Sequence, residues 1–167
     1  MPRLIRHRQR RSAARHQRGA VAIIIGITLA VLIGFVGLAL DLGKLYIAKT
    51  ELQNAADACA LAAARELTGT NIAQLDIAEA AGITTGTRSA VLFQSEAVQL
   101  AVNQDVSFSA TLNGTYLTKS NFTTAPQIAA LRYARCTATR SDIANWFIQV
   151  LNTIPGNDIG NQTVVST

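Results

Sequence analysis

Histidine is nearly missing from this chain: His7 and His16 are the only two, both within the first 19 residues. Cysteine is as scarce, with Cys59 and Cys136 alone. A Cys/His metal site or a Cys–His nucleophile needs those residue types together, and the sequence keeps them apart. Two cysteines are also too few for a disulfide framework. One bridge is chemically allowed if both face an oxidising compartment; the plainer expectation is two unpaired, small apolar residues. Acidic residues are absent from positions 1–19, and charge of either sign is absent from Ala20 to Leu40. Proline is absent from Ala20 to Leu67, so nothing there breaks a helix.

What charge there is lies unevenly. Residues 1–19 carry seven arginines: Arg3, Arg6, Arg8, Arg10, Arg11, Arg15 and Arg18. Residues 41–167 carry eight Lys/Arg against ten Asp/Glu, a balance of −2. The net +5 is therefore a property of the tail. Nucleic-acid binding would call for a basic face on the folded part, or aromatics among the tail arginines, and neither is present. No nucleic-acid partner is expected.

Ala20 to Leu40 is an uncharged run of 21 residues. As a helix it is roughly 31 Å long, close to the hydrocarbon thickness of a bilayer. It reads as a single membrane-spanning helix. The arginines before it orient it with a basic cytoplasmic tail (1–19) and place residues 41–167 on the far side; they also suit anionic lipid head groups. A cleaved secretory signal is the alternative, with Gly37-Leu38-Ala39 as small residues before a cut after Ala39. The run is longer than such signals usually are. Ala22, Gly26, Ala30 and Gly34 recur every fourth residue, a small-residue stripe that lets a second helix approach closely in lipid.

Beyond Asp41 the chain is rich in alanine and other good helix formers. Leu42, Leu45, Lys49, Leu52, Ala56, Cys59 and Ala63 follow a spacing of three to four, a narrow amphipathic seam. Residues 41–68 thus extend the anchor into one rod of roughly 70 Å, with Thr68-Gly69 as its stop. Tyr46 falls where an interfacial aromatic is expected. Asp41 and Lys44 stand at i and i+3 and could pair, with little gain at a wet surface.

These residues resemble a known family. Arg18-Gly19 before the apolar helix, Asp41-Leu42-Gly43-Lys44 after it, and then Leu52-Gln53-Asn54-Ala55-Ala56-Asp57-Ala58 with its alanine run are similar to the N-terminal region of TadG-like (TadE/TadG-like) proteins of the Tad (Flp) pilus system. Cys59 stands where that family usually has alanine. The resemblance covers residues 18–67. It implies a bacterial inner-membrane protein with a single span, a structural component in pilus biogenesis, adhesion or secretion. Its partners would be other Tad/Flp pilus-assembly subunits, with no enzymatic activity, cofactor or small-molecule substrate. Pseudopilins of the same system are cut after a glycine and carry a glutamate five residues into the apolar segment. Here Gly19 precedes Ala20, but the fifth residue is Ile24, so an uncleaved anchor is expected.

Residues 69–104 read as a linker with short helices, one near Ile72–Ala81 and one over Ser89–Asn103. Residues 105–167 read as a small α+β domain. Val106, Phe108, Ala110 and Leu112 alternate with Ser107, Ser109 and Thr111, which predicts a half-buried strand. Asn113-Gly114 then turns the chain into a possible partner strand at Thr115–Thr118. A second strand is expected within Ile128–Thr139, and an amphipathic helix over 141–152, capped by Ser141. Its apolar face would be Ile143, Trp146, Phe147, Val150 and Leu151. Val164 to Thr167 reads as a last strand, which suggests a chain shorter than larger relatives. Asp105-x-Ser107-x-Ser109 matches the start of a metal-dependent adhesion motif found in some larger relatives. It lies inside a strand, not a loop leading to a helix, so no metal is assigned to it. The fold class expected is α+β: an N-terminal transmembrane helix, its long helical continuation and a small β-containing domain.

Overall fold

The computed structural model describes residues 17–93, 95–153, 156 and 160–167. Arg3, Arg6, Arg8, Arg10, Arg11 and Arg15 lie outside the described residues. Arg18 is on the first turn of the first helix.

That helix, α1 (Gln17–Arg65), runs 49 residues without interruption, roughly 73 Å. Its first part is long and apolar enough to cross a membrane. Its apolar side chains there, such as Ile24, Val31 and Phe35, are exposed. From Asp41 onward one face is buried instead. Ala48, Leu52, Ala55, Ala56, Cys59 and Ala63 supply about a third of a continuous core. The seam runs one position away from the expected one at two places: Leu42 and Lys49 are exposed, and Ala48 is buried. The helix tightens at its end, where Glu66 and Leu67 donate to the carbonyls of Ala63 and Ala64. Gly69 follows at φ 77°, a backbone state that suits glycine.

Residues 69–104 are not a linker. Helix α2 (Gln74–Gly86) packs directly on α1. Ala78, Gly82 and Gly86 form its buried stripe. A Cβ on Gly82 would meet the Cys59 carbonyl and sulfur at 3.1 Å and the Ala63 methyl at 3.2 Å. The two helices therefore touch through glycine on one side and alanine on the other, and larger side chains would force them apart. Where a helix is expected over Ser89–Asn103, the chain makes a hairpin of β1 (Ala90–Val91) and β2 (Glu96–Ala97). Leu92 and Phe93 both stand at φ 58° between them, which no helix permits.

Strand β3 (Val106–Ser109) forms where the alternation predicts it, with Val106 and Phe108 fully buried. Its main partner is β4 (Tyr133–Cys136), antiparallel, with Val106 opposite Cys136. The expected return strand at Thr115–Thr118 shrinks to one bridge between Phe108 and Leu117. The first part of the expected second strand is instead α3 (Ala125–Ala130). Thr124 and Gln127 bracket its start, the Thr124 N–H donating to Gln127 Oε1 at 3.4 Å, and a proline lies in its first turn.

The helix expected over 141–152 does not form. Ser141 lies inside β5 (Ala138–Ile143), and only Ile148–Thr153 coils, as a 3-10 helix. β5 pairs antiparallel with β6 (Gln162–Ser166), the terminal strand. The pairing is irregular between Arg140 and Ile143, where Asp142 takes φ 60°. The three two-stranded ladders are separate, and strands from each of them pack on α1.

Cys59 and Cys136 are not free. They form a disulfide between α1 and β4, with Cα atoms 6.0 Å apart. The expectation of two unpaired thiols is corrected: the fold brings together residues separated by 77 positions, and sequence spacing alone carries no sign of that.

Candidate functional site

The residues that carry the family resemblance are the ones that hold the end of the chain. Asp41 is 4% exposed. One carboxylate oxygen, Oδ2, accepts from the backbone N–H of Phe147 at 2.9 Å and of Ile148 at 2.6 Å. It thereby satisfies donors at the start of the 3-10 helix, as a capping carboxylate does. Lys44 does not pair with Asp41. Its Nζ donates to the Ala144 carbonyl at 2.9 Å. The i and i+3 residues therefore grip two points of one loop, one taking its amides and the other its carbonyl. Gly37, one turn earlier, is buried, and a Cβ there would overlap the Phe147 ring. Gly43 has open space around it.

A second set of contacts lies two turns further along α1. Lys49 Nζ donates to the Val165 carbonyl. Gln53 accepts from Ser166 Oγ through its Oε1. Its Nε2 donates to the Thr167 carbonyl at 3.2 Å and to Asp57 Oδ1 at 2.9 Å. Leu52, Ala55 and Ala56 of the same motif are buried in the core. Asn54 and Asp57 are exposed. The motif thus divides by helical face: apolar positions make the core wall, Gln53 holds β6, and Asn54 and Asp57 face outward.

The stripe of Ala22, Gly26, Ala30 and Gly34 is exposed along its length, with nothing within 4 Å of where a Cβ would stand on Gly26 or Gly34. Ala30 and Gly34 also border a groove whose other wall is Phe147, Ile148 and Val150. The upper half of the stripe is thus flanked by the clamped loop, and the lower half is open.

Asp105, Ser107 and Ser109 are used locally. Asp105 Oδ2 accepts from the Ala101 N–H at 2.6 Å, Ser107 Oγ donates to the Arg135 carbonyl at 3.3 Å, and Ser109 Oγ accepts from the Thr111 N–H at 3.3 Å. Among the described residues no group of three or more His, Cys, Asp or Glu could hold a metal.

Sequence reasoning missed a buried charge on α2. Glu79 is 2% exposed. It accepts from the Asn103 N–H at 2.6 Å and pairs with Lys119 Nζ at 2.7 Å. Lys119 also meets Asp76 at 2.8 Å. The hydrogen bond to Asp76, then that to Glu79, raises the Lys119 ammonium above its ordinary value of 10.5 against an opposing effect of burial. A glutamate among alanines in a helical stretch gave no hint that it would turn inward. Gly37, Gly82 and Gly86 were missed as contact points too. The four-residue spacing of Ala78, Gly82 and Gly86 was the available signal.

Replacing Asp41 with alanine should free the loop. It removes an acceptor of two charge-assisted bonds and leaves two partly buried N–H groups unmade, worth about 3 kcal/mol locally. Amide exchange at Phe147 and Ile148, measured on the full chain in detergent, should accelerate about a hundredfold. Asp41→Asn, which keeps one carbonyl oxygen, should lose less. Unchanged exchange in the alanine variant would show that the carboxylate does not hold the loop.

The arrangement defines a class: an apolar helix fit to cross a membrane, continuous with the stem of a small disulfide-linked α+β domain. Within that class, residues 19–66 match the family described as Putative Flp pilus-assembly TadE/G-like. The N-terminal region is thus similar to that family, and the match ends one residue past α1. No curated protein and no solved structure matches the chain.

Proposed function

We propose that this chain is a membrane-anchored structural component of Tad/Flp-type pilus assembly, TadG-like, contributing to pilus biogenesis, adhesion or secretion. The observation that carries the reading is the family match over residues 19–66, which coincides with α1. The anchor lies in the bacterial inner membrane with the arginine tail in the cytoplasm and the domain on the periplasmic or outer side. The excess of arginine before the span supports that direction. So does the Cys59–Cys136 bridge, since such bonds persist in oxidising compartments. Its partners are other subunits of the assembly apparatus, and the open half of the small-residue stripe, Ala22 and Gly26, is the surface offered to a partner helix. The uncut form is favoured by the contacts across the candidate cleavage point: Gly37 under Phe147, Asp41 on the loop amides.

Protease treatment of spheroplasts tests topology and processing together. The chain should stay with the membrane at full mass, and protease added outside should digest residues beyond the span. Recovery of a soluble fragment beginning near Leu40 would replace this reading with that of a released, adhesin-like binding module. Loss of surface pili on deletion of the gene, restored by the intact chain, is the expected phenotype.

A further inference from the structure

We propose that the segment Trp146–Val150 is a membrane-inserted wedge, seated among the lipid acyl chains of the leaflet that faces the domain, beside the anchor helix. The proposal rests on the reading of Ala20–Leu40 as a membrane span.

Its first support is level. The Phe147 ring lies on Gly37, and Ile148 and Val150 face Ala30 and Gly34 across one groove. At about 1.5 Å per residue, Gly37, Gly34 and Ala30 lie roughly 5, 9 and 15 Å below Leu40, where the uncharged run ends. Phe147, Ile148 and Val150 therefore stand beside the apolar helix below the level of its upper end, with Trp146 at that end.

The second support is length. Suppose the loop stayed in water and the bilayer began beneath it. Residues 20–33, or 20–29 if Val150 sets the limit, would then be all that spans. Those are helices of roughly 21 and 15 Å against a hydrocarbon layer of about 30 Å. Tilt would shorten their reach further. The span cannot recruit residues at its other end, because Arg18 and six more arginines stand there. The full 21-residue run fits the bilayer only if the loop enters with it.

Third, the segment has the chemistry for it. No Asp, Glu, Lys or Arg occurs from Ala144 to Thr153. Trp146 is 76% exposed and Val150 61%. On a domain surrounded by water these would be unexplained apolar surface. Trp146 also shares an apolar groove with Phe93, Leu40 and Ile47, and Tyr46 further along α1 is exposed. Tryptophan and tyrosine at that height form the aromatic belt of a membrane interface.

Fourth, the backbone is prepared for a dry setting. Non-helical backbone at membrane depth must have its polar groups satisfied by protein. The Phe147 and Ile148 N–H groups go to Asp41, Gln149 N–H to the Asn145 carbonyl at 3.2 Å, and Val150 N–H to the Phe147 carbonyl at 3.2 Å. Lys44 covers the Ala144 carbonyl. The clamp thus does more than fix the chain: it satisfies amides of the wedge from within the protein.

Trp146 is the only tryptophan, so the full chain carries its own probe. It is reconstituted into phosphatidylcholine/phosphatidylglycerol vesicles, with or without bromine on the acyl chains. The expected result is blue-shifted emission, about half of it lost to acyl-brominated lipid, and little further loss to aqueous iodide. Tryptophan placed by Val150→Trp in a Trp146→Phe chain should be quenched best by bromines closer to the bilayer centre. Flotation of the vesicles after alkaline washing separates the two claims. If the chain floats but Trp146 is quenched by iodide and not by brominated lipid, the wedge is wrong and the anchor stands. Floating with Trp146 shielded from both quenchers would mean that protein covers the segment, which also overturns the wedge. A chain that does not float overturns the anchor and the wedge with it.

Discussion

Replacing both Cys59 and Cys136 with alanine should lower the stability of the domain by about 4 kcal/mol. The bridge closes a loop of 77 residues, and in the chain-entropy description a loop of that size restricts the unfolded state by about 4 to 5 kcal/mol. Alanine in place of cysteine changes little volume, so the loss reads the crosslink more than packing. The loss is large relative to what remains, for two reasons visible in the core. The α1 wall is mostly alanine: Ala48, Ala55, Ala56 and Ala63 each bury far less apolar area than a leucine would. And the β structure among the described residues is three separate two-stranded ladders, each marginal by itself. The bridge ties one of them, through β4, to the helix that carries all the rest. Urea titration of the full chain in detergent, followed by amide exchange in β4 and in residues 52–63, measures the change. Adding reductant to the unmodified protein should produce the same shift. A difference below about 1 kcal/mol in both experiments would mean that the core holds β4 without help, the ordinary range for a surface change.

The second large effect is expected at Lys119. Lys119→Met removes the cation from the buried Glu79 and should cost about 2 kcal/mol, less than in a fully buried pair because the lysine is itself partly exposed. Glu79→Gln alone should cost less, since the amide oxygen can still accept from the Asn103 N–H. The double variant should recover part of the Lys119→Met loss, a coupling that a double-mutant cycle reads directly. The pH dependence has a definite sign. The ammonium is raised above 10.5 in the folded chain. Its contribution is therefore fully present below that ordinary value and fades as pH climbs through the raised one. The native chain should lose stability in strongly alkaline solution by a step that Lys119→Met lacks. Superimposable alkaline unfolding curves for the two proteins would remove the pair from the account.

The rod was legible because its signals are long and repeated. An uncharged run of bilayer length, no proline through Leu67, and a three-to-four spacing to Ala63 all point to one helix. The strand at Val106 was legible from alternation, and a last strand was expected at Val164 to Thr167, close to β6. Residues 141–152 misled for an instructive reason. Ile143, Trp146, Phe147 and Val150 do have helical spacing, yet they serve different surroundings: Ile143 is in the core, Phe147 on Gly37, and Trp146 and Val150 outward. A period shared by chance among residues with separate duties is not amphipathicity. Ser89–Asn103 misled because its composition suits a helix, while Val91, Val98 and Leu100 were to be buried from a hairpin. The family motif was legible as a motif but not as a device. That Asp41, Lys44, Lys49 and Gln53 reach 100 or more positions ahead to hold the loop and β6 depends on tertiary contacts that the one sequence does not display.

The unbroken course of α1 past Leu40 has a mechanical consequence. There is no swivel between the apolar helix and the domain. The only compliance along the axis is the gentle curvature that long helices allow, and the clamp at Asp41 braces the junction from the side. A turn of the apolar helix about its own axis would be delivered to the domain degree for degree. The face that the domain presents would then be set some tens of ångströms away, in the manner of a key turned by its stem.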